Sequence, residues 1–195
     1  WIDVHLGLAH AAAGKRELAI SELQKSLLAG GQFEHPLSCI ALLTLGRIAY
    51  EQGQFEDAGK WFLEATYSAA LYSQFDVMQE AFTGALAAHL TSGKREFFAP
   101  LLPAAQWARR NSAPLEATLL TLAAQSAGAA GDPARGIVLA ADARRAIGRH
   151  EMLGGAIGAV HQFEVARLQF RSGNLAAGNT ALAAALGFSA ASSLR

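Results

Sequence analysis

The amino-acid sequence predicts an all-α fold, an α-α superhelix (solenoid) of about five helix-turn-helix repeats. Three observations lead to this fold class. A glycine that separates two helical runs recurs at steps of 38 to 42 residues. Amphipathic runs with the period of a helix lie on both sides of each of these glycines. Alanine is abundant among the 52% of residues that are hydrophobic, and β-branched residues are sparse, so almost no sheet is expected.

Each predicted repeat is centred on a glycine at a turn. Glycine is the expected residue just past the end of a helix, because it adopts the left-handed conformation without a steric penalty. The turns are assigned to Gly14, Gly53, Gly93, Gly131 and Gly173. They divide a single predicted domain, residues 1–195, into repeats at approximately residues 1–30, 36–72, 76–110, 114–149 and 151–188.

The first two repeats carry the most regular pattern around the turns. A Leu-Gly pair lies in the first helical run, and small and large apolar positions follow in the second. These residues are Leu6, Gly7, Ala19 and Leu23 in the first repeat, and Leu45, Gly46, Phe55, Ala58, Phe62 and Ala65 in the second. The pattern resembles the tetratricopeptide repeat (TPR) family, in a variety longer than the standard repeat of about 34 residues. The resemblance covers nearly the whole chain.

Glycine inside a helix requires a packing reason, because it costs about 1 kcal/mol relative to alanine. We expect Gly7 and Gly46 to let paired helices approach closely. Large residues at Leu23, Phe62 and Leu182 would fill the layers between repeats.

The later repeats depart from the pattern. Pro100 and Pro103 cannot donate backbone hydrogen bonds, so the second helix of the third repeat should begin late, near Pro100, or bend there. Asp132 and Pro133 are typical of a capped helix start in the fourth repeat. Glycine replaces alanine in the small position of the fourth and fifth repeats, at Gly136 and Gly178.

Composition excludes several classes of protein. Sixteen basic residues balance sixteen acidic ones, so the chain lacks the basic footprint of a nucleic-acid-binding protein. The longest apolar run is short and contains polar residues, so no membrane span is expected. One cysteine, Cys39, fits a reducing compartment, and we expect a cytoplasmic protein. Because the chain begins at Trp1 rather than methionine, we interpret it as a processed chain or as a piece of a longer protein.

No motif for catalysis, a metal or a cofactor is found, so a non-enzymatic protein without cofactors is predicted. The repeated tetrapeptide GKRE, at Gly14 and Gly93, lacks the spacing of a phosphate-binding loop. The glycines near Gly154 are not a dinucleotide fingerprint, and Ser189 is not in a nucleophile elbow. The six histidines lack metal-site spacing, and Cys39 is expected to be an inert buried thiol.

Arginine pairs close two of the second helices, and two interpretations of them stay open. Arg109-Arg110 and Arg144-Arg145 could complement the helix dipoles as solvated ends. Together with Arg135, Arg149 and His150, they could instead form a basic patch.

The TPR resemblance implies a concave groove lined by the first helix of each repeat, where a protein or peptide segment binds. Aromatic anchors and separated arginines at these positions suit such a partner. The candidate groove residues are His5, Leu8, Leu43, Arg47, Tyr50, Glu51, Thr83, Gln125, Phe163, Arg167, Phe170 and Arg171. The family's chaperone-tail clamp is not expected, because Val4, Leu8 and Thr44 stand at its positions.

The leading hypothesis is therefore a protein-protein interaction scaffold that binds neither nucleic acid nor membrane. The alternative is a sensory or regulatory module of a larger bacterial regulator, which binds a small effector or a neighbouring domain. Because both ends lack a polar capping helix, we expect neighbouring domains or a second copy of the chain to cover them.

Overall fold

A computed structural model describes residues 2–30, 35–150, 152 and 155–192, with the side chains of the last helix described up to residue 187. Within these residues the backbone forms ten α-helices and no strand. The prediction of an all-α fold is confirmed. The helices are α1 (Ile2–Ala12), α2 (Arg16–Gly30), α3 (Ser38–Glu51), α4 (Phe55–Leu71), α5 (Phe75–Thr91), α6 (Leu101–Asn111), α7 (Ala113–Ala129), α8 (Pro133–Arg149), α9 (Ala156–Arg171) and α10 (Leu175–Ser192).

The five turn glycines all adopt the left-handed conformation that their assignment requires. Their φ angles are 71° at Gly14, 76° at Gly53, 85° at Gly93, 87° at Gly131 and 77° at Gly173. A Cβ atom at any of them would meet nothing within 4 Å, so backbone conformation alone selects glycine there. The helix-turn-helix order therefore occurs five times, as the spacing predicts.

The helices fall into two compact units, one ending at Lys94 and one beginning at Arg95. In the first unit each helix packs against the next in sequence, from α1 to α5, and α3 also contacts α1 and α5. In the second unit the same order runs from α6 to α10, and α7 also contacts α9. Such neighbour-to-neighbour packing is how the helices of a repeat protein bury a continuous core. The single-domain organisation of residues 1–195 stays a prediction.

Glycines receive large side chains in the core of the first unit. A Cβ atom at Gly7 would lie 2.6 Å from Cγ of Leu23, and one at Gly46 would lie 2.6 Å from Cδ1 of Phe62. A Cβ atom at Gly84 would lie 2.7 Å from Cζ of the same Phe62 ring. Phe62 of α4 thus lies between α3 and α5. The predicted packing roles of Gly7 and Gly46 are confirmed.

The second unit uses the same device with different residues. The side chain of Leu168 on α9 packs against two glycines. A Cβ atom at Gly128 would lie 2.6 Å from Cδ2 of Leu168, and one at Gly136 would lie 2.5 Å from the same atom. A Cβ atom at Gly178 would lie 2.4 Å from Cε1 of Phe170. The sequence assigned the large filling residue to Leu182, but Leu182 is only partly buried and Leu168 is fully buried. The difference arises because α9 contributes its own large residue to the groove between α7 and α8.

The start of α6 follows from the two prolines. Pro100 is the N-cap and α6 begins at Leu101, so the predicted late start is confirmed. In the segment before α6, the backbone N–H of Phe98 donates to Oγ of Ser126 on α7, at 2.7 Å. At the start of α8, Oδ1 of Asp132 accepts from the N–H of Arg135 at 2.9 Å, which confirms the predicted cap.

A pair of glycine substitutions tests the close packing of the first unit. Gly46→Ala is expected to lower the free energy of unfolding by about 1–3 kcal/mol, because the methyl group overlaps the Phe62 ring. Gly59→Ala is the control, since its Cβ atom would make ordinary contact with Ala88 at 3.8 Å. That change is expected to raise stability by roughly 0.5–1 kcal/mol through helix propensity. Urea unfolding measures both, and equal effects would contradict the packing role of Gly46.

Candidate functional site

A pocket of about 220 Å³ lies on the first unit, where three predicted groove residues come together. Arg47, Tyr50 and Glu51 of α3 line one wall, because residues three and four apart share a face of a helix. Gly84 and Ala87 of α5 line the other side, and their small side chains leave the space open. The Phe62 ring, which fills the layer beneath, forms the apolar floor. The pocket therefore joins the first helices of two successive repeats.

Polar contacts hold the rim of this pocket. Arg47 forms an ion pair with Glu80, and Nη2 of Arg16 lies 3.1 Å from Oε2 of Glu51. The hydroxyl groups of Tyr50 and Thr91 lie 3.0 Å apart. These ion pairs are exposed and contribute little to stability, so a ligand can exchange with them at low cost.

The remaining candidates of the first unit are dispersed. His5 and Leu8 lie on α1, where His5 is exposed and Leu8 is partly buried, and Thr83 is exposed on α5. Leu43 is only 4% exposed and belongs to the core, so it does not present a binding surface. The reason is that α3 contacts α1, α2, α4 and α5, and ten of its fourteen residues are buried. The sequence pattern alone did not indicate how many neighbours α3 has.

In the second unit, α9 carries an exposed apolar stripe. Val160, Phe163 and Phe170 are 62%, 53% and 37% exposed, and their spacing places them along one side of the helix. The predicted candidates Arg167 and Arg171 lie on the same helix, and Nη1 of Arg167 is 2.9 Å from Oε2 of Glu164. Gln125, the candidate on α7, is partly buried.

Two buried ionisable side chains, His161 and Glu164, lie one turn apart on α9. Burial and the positive charge of Arg144 lower the pKa of His161 to about 4. Burial raises the pKa of Glu164 to about 7, although Arg167 and Arg171 act in the opposite direction. Among the described residues, neither ring nitrogen of His161 has a hydrogen-bond partner. The folded state thus favours the neutral form of both groups.

A second, larger pocket lies on the second unit, away from the predicted groove positions. Its volume is about 360 Å³, and it is formed by α6, α7 and α8. The lining residues are Leu102, Ala105, Gln106, Arg109, Glu116, Leu120, Asp142, Arg145 and Arg149. Three of the arginines that the sequence left open as a patch or as helix ends therefore meet at one cavity. The signal in the sequence was the repeated basic ending of the second helices, but it gave no indication of the cavity.

The other sites considered from sequence contain no cluster of metal-ligand residues where the structure describes them. Cys39 is buried, its Sγ lies 3.1 Å from the carbonyl oxygen of Pro36, and burial raises the pKa of its thiol. In the part of the chain that the structure describes, no three His, Cys, Asp or Glu residues are grouped as metal ligands. None of the described helices combines the length and the hydropathy of a bilayer span. Gly154 and the side chain of Ser189 lie outside the described residues.

Comparison with known protein families yielded no matching family model, and no curated protein is significantly similar to the chain. The class of protein is therefore defined by its fold and its surface pockets alone. This is an all-α protein of helical repeats, and each of its two units carries a pocket that contains arginine side chains.

Proposed function

We propose that this chain is a non-enzymatic scaffold of TPR-like repeats that binds a protein or peptide segment on the first helices of its repeats. The pocket between α3 and α5 carries the proposal. It combines an apolar floor at Phe62 with a cation, an anion and an aromatic ring at Arg47, Glu51 and Tyr50. Binding sites for protein segments commonly use such a desolvated anchor pocket with polar groups around it.

The pocket chemistry indicates what kind of segment fits. A single large apolar side chain would fill the space above Phe62, Gly84 and Ala87. An acidic residue beside it would pair with Arg47 in place of Glu80. The exposed apolar stripe on α9 supports a role in binding proteins as well, because exposed apolar surface often marks an interaction site.

The proposal is tested by selecting binding peptides from a displayed library and measuring their affinity by fluorescence polarisation. Arg47→Glu and Tyr50→Ala are each expected to weaken binding at least about tenfold, because each removes a polar or aromatic contact at the pocket. Lys60→Glu and Tyr67→Ala are the matched controls, since both residues are exposed on α4, outside the pocket. If affinity survives both pocket changes, the assignment of the groove is wrong.

The alternative function is a sensory or regulatory module of a larger bacterial regulator. The pocket formed by α6, α7 and α8 favours it, because about 360 Å³ lies in the range of small-molecule sites. Either function is proposed to operate in the cytoplasm, where Cys39 would remain reduced. Thermal unfolding of the chain with small effectors and with selected peptides distinguishes the two, since each ligand should raise the unfolding temperature only if it binds.

A further inference from the structure

We infer that the pocket formed by α6, α7 and α8 binds the carboxylate of a small organic acid with an apolar body. The inference is independent of peptide binding at α3 and α5, because it concerns different residues of the other unit. It rests on the charges, the free hydrogen-bond donors and the apolar part of the cavity lining.

The charged side chains of the pocket leave one positive charge uncompensated. Nη2 of Arg149 lies 3.0 and 2.9 Å from the two carboxylate oxygens of Glu116. Arg145 forms an ion pair with Asp142. Arg109 forms no ion pair or hydrogen bond with any residue that the structure describes, although it lines the same cavity. A ligand with a single negative charge would therefore neutralise the site.

The guanidinium group of Arg149 retains hydrogen-bond donors that can receive a planar anion. Glu116 is only 6% exposed, and its carboxylate holds Arg149 through Nη2 alone. The Nε and Nη1 groups of Arg149 have no partner among the described residues, so they stay available as donors. Guanidinium groups match the geometry of a carboxylate through paired N–H donors. Arg109 supplies the charge, and Arg149 supplies donors that are already held in place.

Three apolar side chains in a cavity lined mainly by polar groups favour an organic acid over an inorganic anion. Leu102, Ala105 and Leu120 line the cavity beside the arginines. Inorganic phosphate would leave these side chains uncovered, and its second charge would remain without a partner. An acid with an aromatic or branched aliphatic body covers them and places its carboxylate against the arginines.

Solvated helix ends do not account for this arrangement. Complementation of the helix dipole explains why arginines occur in the last turns of α6 and α8. It does not require arginines from both helices to meet at one cavity that also contains a buried carboxylate from α7. Arg110, also in the last turn of α6, is not among the lining residues.

Isothermal titration calorimetry of the full chain tests the inference. Phenylacetate is the probe, phenylacetamide is its neutral counterpart, and inorganic phosphate is the inorganic anion. Phenylacetate is expected to bind saturably, and at least about tenfold more tightly than either of the others. Arg109→Gln should weaken phenylacetate binding at least about tenfold, while Arg110→Gln, the matched control, should change it less than about twofold.

Four results would overturn the inference. The first is that neither phenylacetate nor 4-methylpentanoate binds saturably up to about 10 mM, which corresponds to negligible affinity. The second and third are that phenylacetamide binds as tightly as phenylacetate, or that phosphate binds more tightly. The fourth is that Arg109→Gln binds phenylacetate as tightly as the unchanged protein. The comparison of acid with amide uses the unchanged protein, so it decides the question even if a variant folds poorly. If the carboxylate site is wrong, the proposal of peptide binding at α3 and α5 is unaffected, because it is measured with a different ligand and different variants.

Discussion

Phe62→Ala is expected to lower the free energy of unfolding of the first unit by about 3–5 kcal/mol, the usual cost of removing a buried aromatic side chain. Phe62 is 4% exposed and lies between Gly46 and Gly84. Because glycine has no side chain to move into the vacated space, the cavity should collapse little. Such a loss is a large share of the 5–15 kcal/mol that stabilises a typical domain.

Urea unfolding followed by circular dichroism measures this effect. Phe62→Leu is expected to lose only about 1–2 kcal/mol, since most of the buried volume remains. Tyr67→Ala, a change at an exposed aromatic residue of the same helix, should fall within about 0.5 kcal/mol of the unchanged protein. A loss below about 1 kcal/mol for Phe62→Ala would contradict the central packing role of this ring.

The contact between Phe62 and Gly46 predicts strong coupling between changes at the two positions. In the Phe62→Ala background, Gly46→Ala no longer meets an aromatic ring and adds a methyl group to the cavity. The double variant should therefore be more stable than the sum of the single changes, by roughly 1–3 kcal/mol. Additive effects would show that the two residues do not share the space.

Opposing pH dependences are expected in the second unit, and single substitutions should reveal them. The folded-state pKa of His161 is about 4, below its ordinary value of 6.5. Below pH 6.5 the unfolded chain therefore binds a proton that the folded protein does not. The contribution of neutral His161 to the free energy of unfolding is present above pH 6.5 and is lost as the pH falls through about 4.

Glu164 has the opposite sign. Its folded-state pKa is about 7, above its ordinary value of 4.5. Between these values the folded protein keeps a proton that the unfolded chain has lost. The contribution of protonated Glu164 to the free energy of unfolding is present below pH 4.5 and is lost as the pH rises through about 7.

The two dependences largely cancel between pH 4.5 and 6.5. In Glu164→Gln, stability relative to the unchanged protein should rise with pH across this window. In His161→Leu, it should fall with pH, and each change should amount to on the order of 2–3 kcal/mol. Urea unfolding at several pH values measures the differences. Variant curves that run parallel to that of the unchanged protein would contradict the assigned burial of both groups.

The helices and turns were predictable because their signals are local. A glycine that ends a helix and a proline that begins one act through the backbone of a few neighbouring residues, as at Gly53 and Pro133. The packing of Gly46 on Phe62 was predictable too, since both lie in one repeat. These features are set within a single helix pair.

The features that were missed depend on helices from different repeats. Leu43 is buried because α3 has four neighbouring helices, and Leu168 reaches two glycines of the preceding repeat. The cavity at Arg109 requires side chains from α6, α7 and α8 together. The sequence showed the arginines but contained no signal for their distance from Glu116.

The turn glycines have a consequence for how such a chain can change over time. A Cβ atom at these positions would contact no other atom within 4 Å. Glycine is therefore required there by the positive φ angle of the backbone and not by a packing contact. The helix before the turn and the helix after it can lengthen, shorten or exchange surface residues without disturbing it. The turn itself therefore constrains one position in each repeat, and the exposed residues of α3, α6 and α8 can change without affecting it.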